Sequence, residues 1–141
     1  MANVRDSILT ALETELQAIT NISKATLNIL PIDSAERDSP YIGIVAGDEE
    51  KIVEDDTNIR FGFDVFLFLI TEQQYTGVEL LIDDIKTAIY SPTGAIALNA
   101  NVLDKNILNV QPVSLEDFDA NKFSSTRIDL RLLYYAPKAA F

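Results

Sequence analysis

The first twenty residues place apolar side chains at the spacing of an amphipathic helix. The apolar positions recur three or four residues apart, at Val4, Ile8, Leu12, Leu16 and Ile19. Arg5, Asp6, Glu13 and Gln17 lie between them on the opposite side. The pattern predicts a helix with one buried face. Asn3 is a suitable N-cap, because its side-chain oxygen can accept a hydrogen bond from the first turn.

The strongest β pattern runs from Ile59 to Ile70. Alternate residues on one face are all apolar: Ile59, Phe61, Phe63, Val65, Leu67 and Leu69. The other face begins with Arg60, Gly62 and Asp64 and ends with Phe66, Phe68 and Ile70. We therefore expect a central strand that is half exposed at its start and covered on both faces at its end.

Shorter β segments precede this strand. Pro40 introduces a strand over residues 41–45, and the Gly-acidic run 47–50 is typical of a turn. Residues 51–54 then read as a returning strand, and residues 55–58 as a second turn before the long strand.

A second helix is predicted after residue 75. Thr76 and Glu79 have the spacing of a capping box, with Tyr75 and Leu80 at the positions of a hydrophobic staple. The apolar face that follows consists of Val78, Leu81, Ile82, Ile85, Ala88 and Ile89. Ser91 precedes Pro92 and should end the helix, because a residue before proline avoids helical geometry.

The C-terminal part predicts a hairpin. Residues 93–106 fit either a compact loop or a short helix. A strand over 107–115 contains Pro112, which indicates an edge position or a bulge, and a strand over 123–135 follows the acidic loop 116–122. The whole chain, residues 1–141, is expected to form a single α+β domain. It should contain one mainly antiparallel sheet, with a mixed sheet also allowed, of about four to five strands and two packed helices.

Composition excludes most familiar enzyme chemistry. The 141 residues include no histidine and no cysteine. The commonest general base, thiolate nucleophiles and the usual transition-metal ligands are therefore missing. The five glycines form no phosphate-binding loop. We expect no enzymatic activity and no cofactor.

Net charge limits the partners. Eleven basic residues against 22 acidic ones give a formal charge of −11. Specific nucleic-acid binding and attachment to an anionic membrane are not expected, because both need clustered Lys and Arg. The N-terminal residues lack the apolar core of a signal peptide, so synthesis and retention in a cytoplasm are expected. The excess of acidic residues indicates either that the chain binds a basic partner or that the charge only keeps the protein soluble.

Three groups of charged or polar residues are candidates for function. Asp48, Glu49 and Glu50 form an acidic cluster in a predicted turn, where solvation is more typical than acid–base work. Asp117, Asp119 and Asn121 have the opening spacing of a calcium loop. Lys122 replaces the required glycine and Ile128 the bidentate glutamate, so a solvated hairpin tip is favoured and no metal is expected.

The third group should project from one sheet face: Arg60, Asp64, Arg127, Asp129 and Arg131. Two interpretations stay open for these side chains. They form either a cross-strand ladder of ion pairs or a subunit interface.

The order of these elements resembles the tail terminator proteins of lambda-type long-tailed bacteriophages. The similarity lies in a leading helix (8–13), a Pro-initiated strand (40–45), a Gly-acidic segment (47–50), a long strand (63–67) and a mid-chain helix. An acidic loop and the aromatic-ended strand 128–135 complete it. The resemblance implies a hexameric ring that caps the tail tube at the head–tail junction of a virion. Implied partners are further copies of the chain, the tail-tube protein and a head-completion or connector protein.

Rival functions remain open at this stage. Another head–tail connector or a tail-tube subunit would share the size and acidity, and a small-ligand-binding α+β domain or a carboxylate enzyme is a further alternative. If a ring forms, we expect at least one of the acidic segments 47–50, 54–56 and 116–119 to face its lumen.

Overall fold

The structure is a computed structural model, and it describes residues 4–27, 40–72, 75–91, 102–113 and 123–137. These form two helices and five strands. In chain order they are α1 (Val4–Gln17), β1 (Lys24–Leu27), β2 (Tyr41–Glu54), β3 (Asn58–Glu72), α2 (Val78–Tyr90), β4 (Val102–Val113) and β5 (Phe123–Pro137). The strands make one sheet in the order β1-β2-β3-β5-β4. Only β1 and β2 are parallel. The prediction of an α+β fold with a mainly antiparallel sheet is confirmed.

The centre of the sheet is the antiparallel pair of β3 and β5. Its register is unbroken from Asn58, opposite Pro137, to Glu72, opposite Phe123. The alternating apolar residues of β3 point to one face, with their partners on β5. From Phe63 onward that face is buried, and its fully buried members include Phe63, Val65, Leu67, Ile128, Leu130 and Leu132.

Both helices cover this same face. Ile8, Leu12 and Leu16 of α1, together with Leu81, Ile85 and Ile89 of α2, belong to one core cluster with the inner residues of β3 and β5. The helical stripes read from the sequence are therefore the buried ones. Burial of these aliphatic side chains is the main source of stability, at roughly 1.5–3 kcal/mol for each full burial.

The outer face of the sheet, opposite the helices, changes character along β3 as predicted. Arg60 is exposed, Phe66 and Phe68 are half-buried, and Ile70 is fully buried. Tyr41 of β2 lies opposite Ile70 and is also buried. One end of the outer face is thus polar and accessible, and the other is apolar.

The segment 47–50 is not a turn, which corrects the sequence-based prediction. β2 runs without interruption from Tyr41 to Glu54. Ala46 pairs with Val65 and Glu49 with Phe63, so Gly47 and Asp48 together oppose a single residue of β3. This two-against-one arrangement is a β-bulge. Residues 51–54 therefore extend the same strand and do not return.

The turn at residues 55–58 is confirmed. The Asp55 carboxylate accepts hydrogen bonds from the backbone N–H groups of Thr57 (2.8 Å) and Asn58 (2.7 Å). The backbone N–H of Asp55 donates to the Asn58 carbonyl at 3.0 Å. An Asp at this position stabilises the turn through its own side chain.

The start of α2 differs from the prediction. Gly77 is the N-cap, and no side-chain capping hydrogen bond is present there. The capping box at Thr76 and the staple through Leu80 were therefore wrong. Because the helix begins at Val78, the fourth helical position is Leu81, which is buried, whereas Leu80 is 70% exposed. The helix ends at Tyr90 as expected, with Ser91 in extended geometry.

β4 begins at Val102, so residues 102–106 are strand and neither loop nor helix. It is an edge strand, as Pro112 indicated. Its two register shifts lie at Leu103 and Leu108 and not at the proline. The described residues do not include Asn3, residues 92–101 or the acidic loop with Asp117 and Asp119.

Candidate functional site

The charged residues of the outer face meet at the middle of the sheet. Asp64 of β3 and Arg131 of β5 are register partners. Arg131 Nη1 donates to Asp64 Oδ1 at 3.1 Å, and Arg131 Nη2 donates to Glu50 Oε2 at 3.4 Å. One guanidinium thus joins β2, β3 and β5. We call Glu50, Asp64 and Arg131 the outer-face triad.

A second ion pair lies farther along β5. Arg127 Nε donates to Asp129 Oδ1 at 2.8 Å, between residues two apart on the same strand. The Arg127 guanidinium also stands over the Phe66 ring, 5.5 Å from its centroid. This pair lies along one strand, whereas Asp64–Arg131 crosses strands. Within the described ranges Arg60 has no ion pair, so the five residues form only part of a ladder.

These ion pairs leave the face open to contact. The side chains of Asp64 and Arg131 are 32% and 34% exposed, and that of Glu50 is 72% exposed. Exposed pairs of this kind contribute about 0–1 kcal/mol to stability. The outer face can therefore both carry internal ion pairs and offer charged groups to another chain.

Glu49 points the other way. It follows the bulge on β2 and lies opposite Phe63, on the side of the helices. Its carboxylate is 4.0 Å from Arg5 Nη1 of α1, and the Arg5 guanidinium stands 4.6 Å from the Phe63 ring centroid. Glu49 and Glu50 therefore connect the strand beyond the bulge to the body of the protein from opposite faces. Of the predicted acidic cluster, only Asp48 projects at the bulge itself.

The structure also exposes apolar residues that the sequence patterns did not single out. We define the hairpin arm as residues 51–60, the outer part of the β2–β3 hairpin. On it, Ile52 is 51% exposed and Val53 is 50% exposed. Ile52 is the extra residue of a second bulge, between the paired residues Lys51 and Val53. A bulge re-aims a side chain, and no local pattern in the sequence announced it.

A second apolar surface lies at the other edge of the sheet, beside β4. An open groove of about 460 Å³ lies between α2 and β4, lined by Lys86, Tyr90, Ile107, Leu108, Asn109 and Val110. We call it the β4 groove. Leu108, 60% exposed, is again a bulge residue. The Tyr90 hydroxyl accepts a hydrogen bond from the Ile107 backbone N–H at 2.7 Å, which ties the helix to the edge strand.

The surfaces formed by the described residues are suited to non-covalent contacts. No group of three or more acidic side chains among them is arranged to hold a metal ion. Neither of the two described helices is long and apolar enough to cross a membrane. What these surfaces can supply is ion pairing, hydrogen bonding and apolar burial.

Comparisons with known proteins bear on the fold. No protein-family model matches the sequence, and no curated protein matches it. Among solved structures, one chain from the virion of a native gene transfer agent particle superposes with a TM-score of 0.63 at 12% sequence identity. The match covers 94% of this chain and 98% of that one. At this identity the similarity concerns the fold, and the chain therefore shares its architecture with a protein of that virion.

Proposed function

We propose that this chain is a non-enzymatic structural protein of a phage-like virion, and that it forms a ring capping the tail tube. The observation that carries the proposal is the end-to-end match with a virion chain, in which neither protein has a large unmatched part.

Two further properties support this role. The chain has no histidine or cysteine for the commonest catalytic centres. Its element order is also similar to that of tail terminator proteins. On this proposal the ring is a hexamer that stops tube polymerisation and provides the surface on which the head is joined. The tail-tube protein and a head-completion or connector protein are its partners, and it lies at the head–tail junction.

The charge fits a ring through which a genome passes. A lumen with carboxylates repels the phosphate backbone, whereas Lys and Arg would hold it through counterion release. Asp48 is the residue of the 48–50 cluster best placed to face a lumen, because Glu49 and Glu50 face Arg5 and Arg131. Specific nucleic-acid binding is no part of the role.

The test is a tube-length assay. Tail-tube subunits are polymerised with and without the purified chain, and the products are measured by electron microscopy. A terminator leaves tubes short with a ring-shaped density at one end, and free protein converts from monomer to hexamer as its concentration rises. Bovine serum albumin at equal concentration controls for non-specific effects.

Other outcomes would contradict the proposal. Self-polymerisation into tubes would identify a tube subunit, and binding to heads without any effect on tubes would identify a connector. A metabolite retained in native mass spectrometry would favour a ligand-binding domain. A stable two-fold dimer in solution scattering would argue against a ring, because two-fold contacts do not build one by themselves.

A further inference from the structure

The hairpin arm and the β4 groove each bring exposed apolar residues together in the described structure. Ile52 and Val53 lie side by side on the arm, and Tyr90 and Leu108 line the groove, each about half exposed or more. Exposed aliphatic and aromatic side chains that cluster mark contact sites more often than isolated ones do. Covering such surfaces is favourable because it removes apolar area from water.

The tip of the arm and the groove each carry a charged side chain without an ion pair in the described part of the chain, and the two charges have opposite sign; the base of the arm also carries Lys51 and Arg60, and α2 also carries the exposed Asp83. The acidic turn 54–56 lies at the tip of the arm, and Asp56 has no ion pair within the residues described. The groove contains Lys86, which is exposed and likewise lacks an ion pair there. Lys86 and Tyr90 are four residues apart on α2, so cation and ring share one helix face. An acidic, apolar segment fits this groove by sign and by polarity.

The sheet itself prevents the arm from filling the groove of its own chain. β3 and β5 lie between β2 and β4 in the strand order. Three strand spacings amount to about 14 Å, and the central β3–β5 register is unbroken. A complementary pair of surfaces that one copy cannot bring together can be joined between two copies.

We propose that the hairpin arm of one copy docks into the β4 groove of the next copy. Ile52 and Val53 pack on Tyr90 and Leu108, and Asp56 approaches Lys86. The contact joins two different surfaces, so it is head-to-tail, and head-to-tail contacts close into rings when the rotation between copies permits. The inference rests on the proposed ring and specifies which surfaces build it.

The lack of native cysteine makes the contact directly testable. Two single variants, Val53→Cys and Leu108→Cys, are prepared separately. They are treated with a short bis-maleimide under conditions in which the wild-type chain forms rings. Each variant alone should stay uncross-linked, and an equimolar mixture should give covalent dimers. The double variant should give a ladder that ends at the ring size.

The matched control is Leu80→Cys, an exposed leucine of α2 that does not line the groove. Its mixture with Val53→Cys should give at most about a tenth of the dimer. All three positions are exposed, so unfolding temperatures should match that of the wild type, which confirms that the variants fold.

A charge swap supplies an independent readout. Asp56→Lys or Lys86→Asp alone should weaken ring formation by about tenfold, through repulsion across the contact. The combined variant should restore it to within about twofold of wild type. Both residues are exposed, so a merely structural role would not produce this rescue.

The outcomes separate the inference from the proposed function. Rings visible by electron microscopy without a 53–108 cross-link, or without charge-swap rescue, would overturn the arm-to-groove contact and leave the ring standing. Cross-linking of Val53→Cys with itself would show a two-fold contact and overturn the inference. Failure of the wild-type chain to form rings, alone or on tubes, would overturn both.

Discussion

The guanidinium of Arg131 lies directly against the backbone of Gly62. A Cβ atom at Gly62 would be 2.8 Å from Arg131 Cζ and 3.1 Å from Nε. Glycine therefore leaves the space in which Arg131 reaches both Asp64 and Glu50. The outer-face triad depends on a missing side chain as well as on three charged ones.

Replacement Gly62→Ala should displace Arg131 and uncouple it from Asp64. The net change in the free energy of unfolding should stay within about 1 kcal/mol. Loss of partly exposed ion pairs destabilises the fold by roughly 0.2–1 kcal/mol each. Replacing a glycine within a strand by alanine stabilises it by a similar amount. A double-mutant cycle on Asp64→Ala and Arg131→Ala, measured by urea unfolding in both backgrounds, checks this. Equal coupling energies with and without the Gly62 substitution would contradict it.

Gly47 at the β2 bulge should tolerate substitution less well. A Cβ there would stand 2.7 Å from a ring carbon of Phe66 and 3.0 Å from the Asp64 carbonyl oxygen, which is backbone and cannot move aside easily. Gly47→Ala should destabilise the fold by about 1–3 kcal/mol, as overpacking does. Asp48→Ala, at the same bulge but exposed, should change stability by no more than about 0.5 kcal/mol. Thermal unfolding of the two variants compares them directly.

The start of α2 can be tested with three alanine variants. Leu81→Ala should cost about 2–5 kcal/mol because it leaves a cavity in the core. Leu80→Ala should be nearly neutral, since that side chain is 70% exposed. Thr76→Ala should also change little, because no side-chain hydrogen bond caps the helix. A decrease of about 1 kcal/mol in the free energy of unfolding of Thr76→Ala would instead show that Thr76 caps the helix.

Divalent cations should have little effect on stability. The chain has neither histidine nor cysteine, so an ion would be bound by oxygen ligands, chiefly carboxylates, and these favour calcium or magnesium weakly. At millimolar concentration, either ion should raise the melting temperature by no more than a few degrees, measured by scanning calorimetry. A large rise with calcium that Asp119→Ala abolishes would establish a site in the acidic loop.

Charge reversal at the bulge tests the lumen. Asp48→Lys should preserve the fold, because Asp48 is exposed and, unlike Glu49 and Glu50, has no Arg partner in the described structure. If it lines the lumen, rings carrying the change should bind duplex DNA with strong salt dependence and slow genome ejection. Leu80→Lys, at an exposed position of helix α2, serves as the control. Normal ejection from particles that contain the altered ring would exclude this position from the lumen.

The sequence by itself determined the elements whose burial is periodic. α1, α2 and the alternating face of β3 followed from spacings of 3.6 and 2, because side-chain direction along a helix or strand is a local property of the backbone. The end of α2 at Tyr90 followed as well, because the effect of Pro92 on the geometry of Ser91 is local. The exclusion of His and Cys chemistry needed only composition.

Only the tertiary structure decided how β2 runs. A Gly-acidic segment has the same local signature whether it forms a turn or a bulge, and the difference is defined by the residues of the partner strand that it faces. Opposite Asp64, Gly47 and Asp48 form a bulge, which makes one long strand of two predicted short ones. The start of α2 also depended on the tertiary structure, because packing against the core buries Leu81 and leaves Leu80 exposed.

The grouping of charged residues also depended on the fold. Arg131 meets Asp64 across 67 residues of sequence and Glu50 across 81. Those contacts exist because β3 lies between β2 and β5, and strand order is fixed by packing of the whole sheet and not by any local pattern. The exposed Ile52 and Leu108 have the same origin. A bulge turns each of them out of the alternation, and a bulge belongs to a pair of strands, so neither strand's sequence alone reveals it.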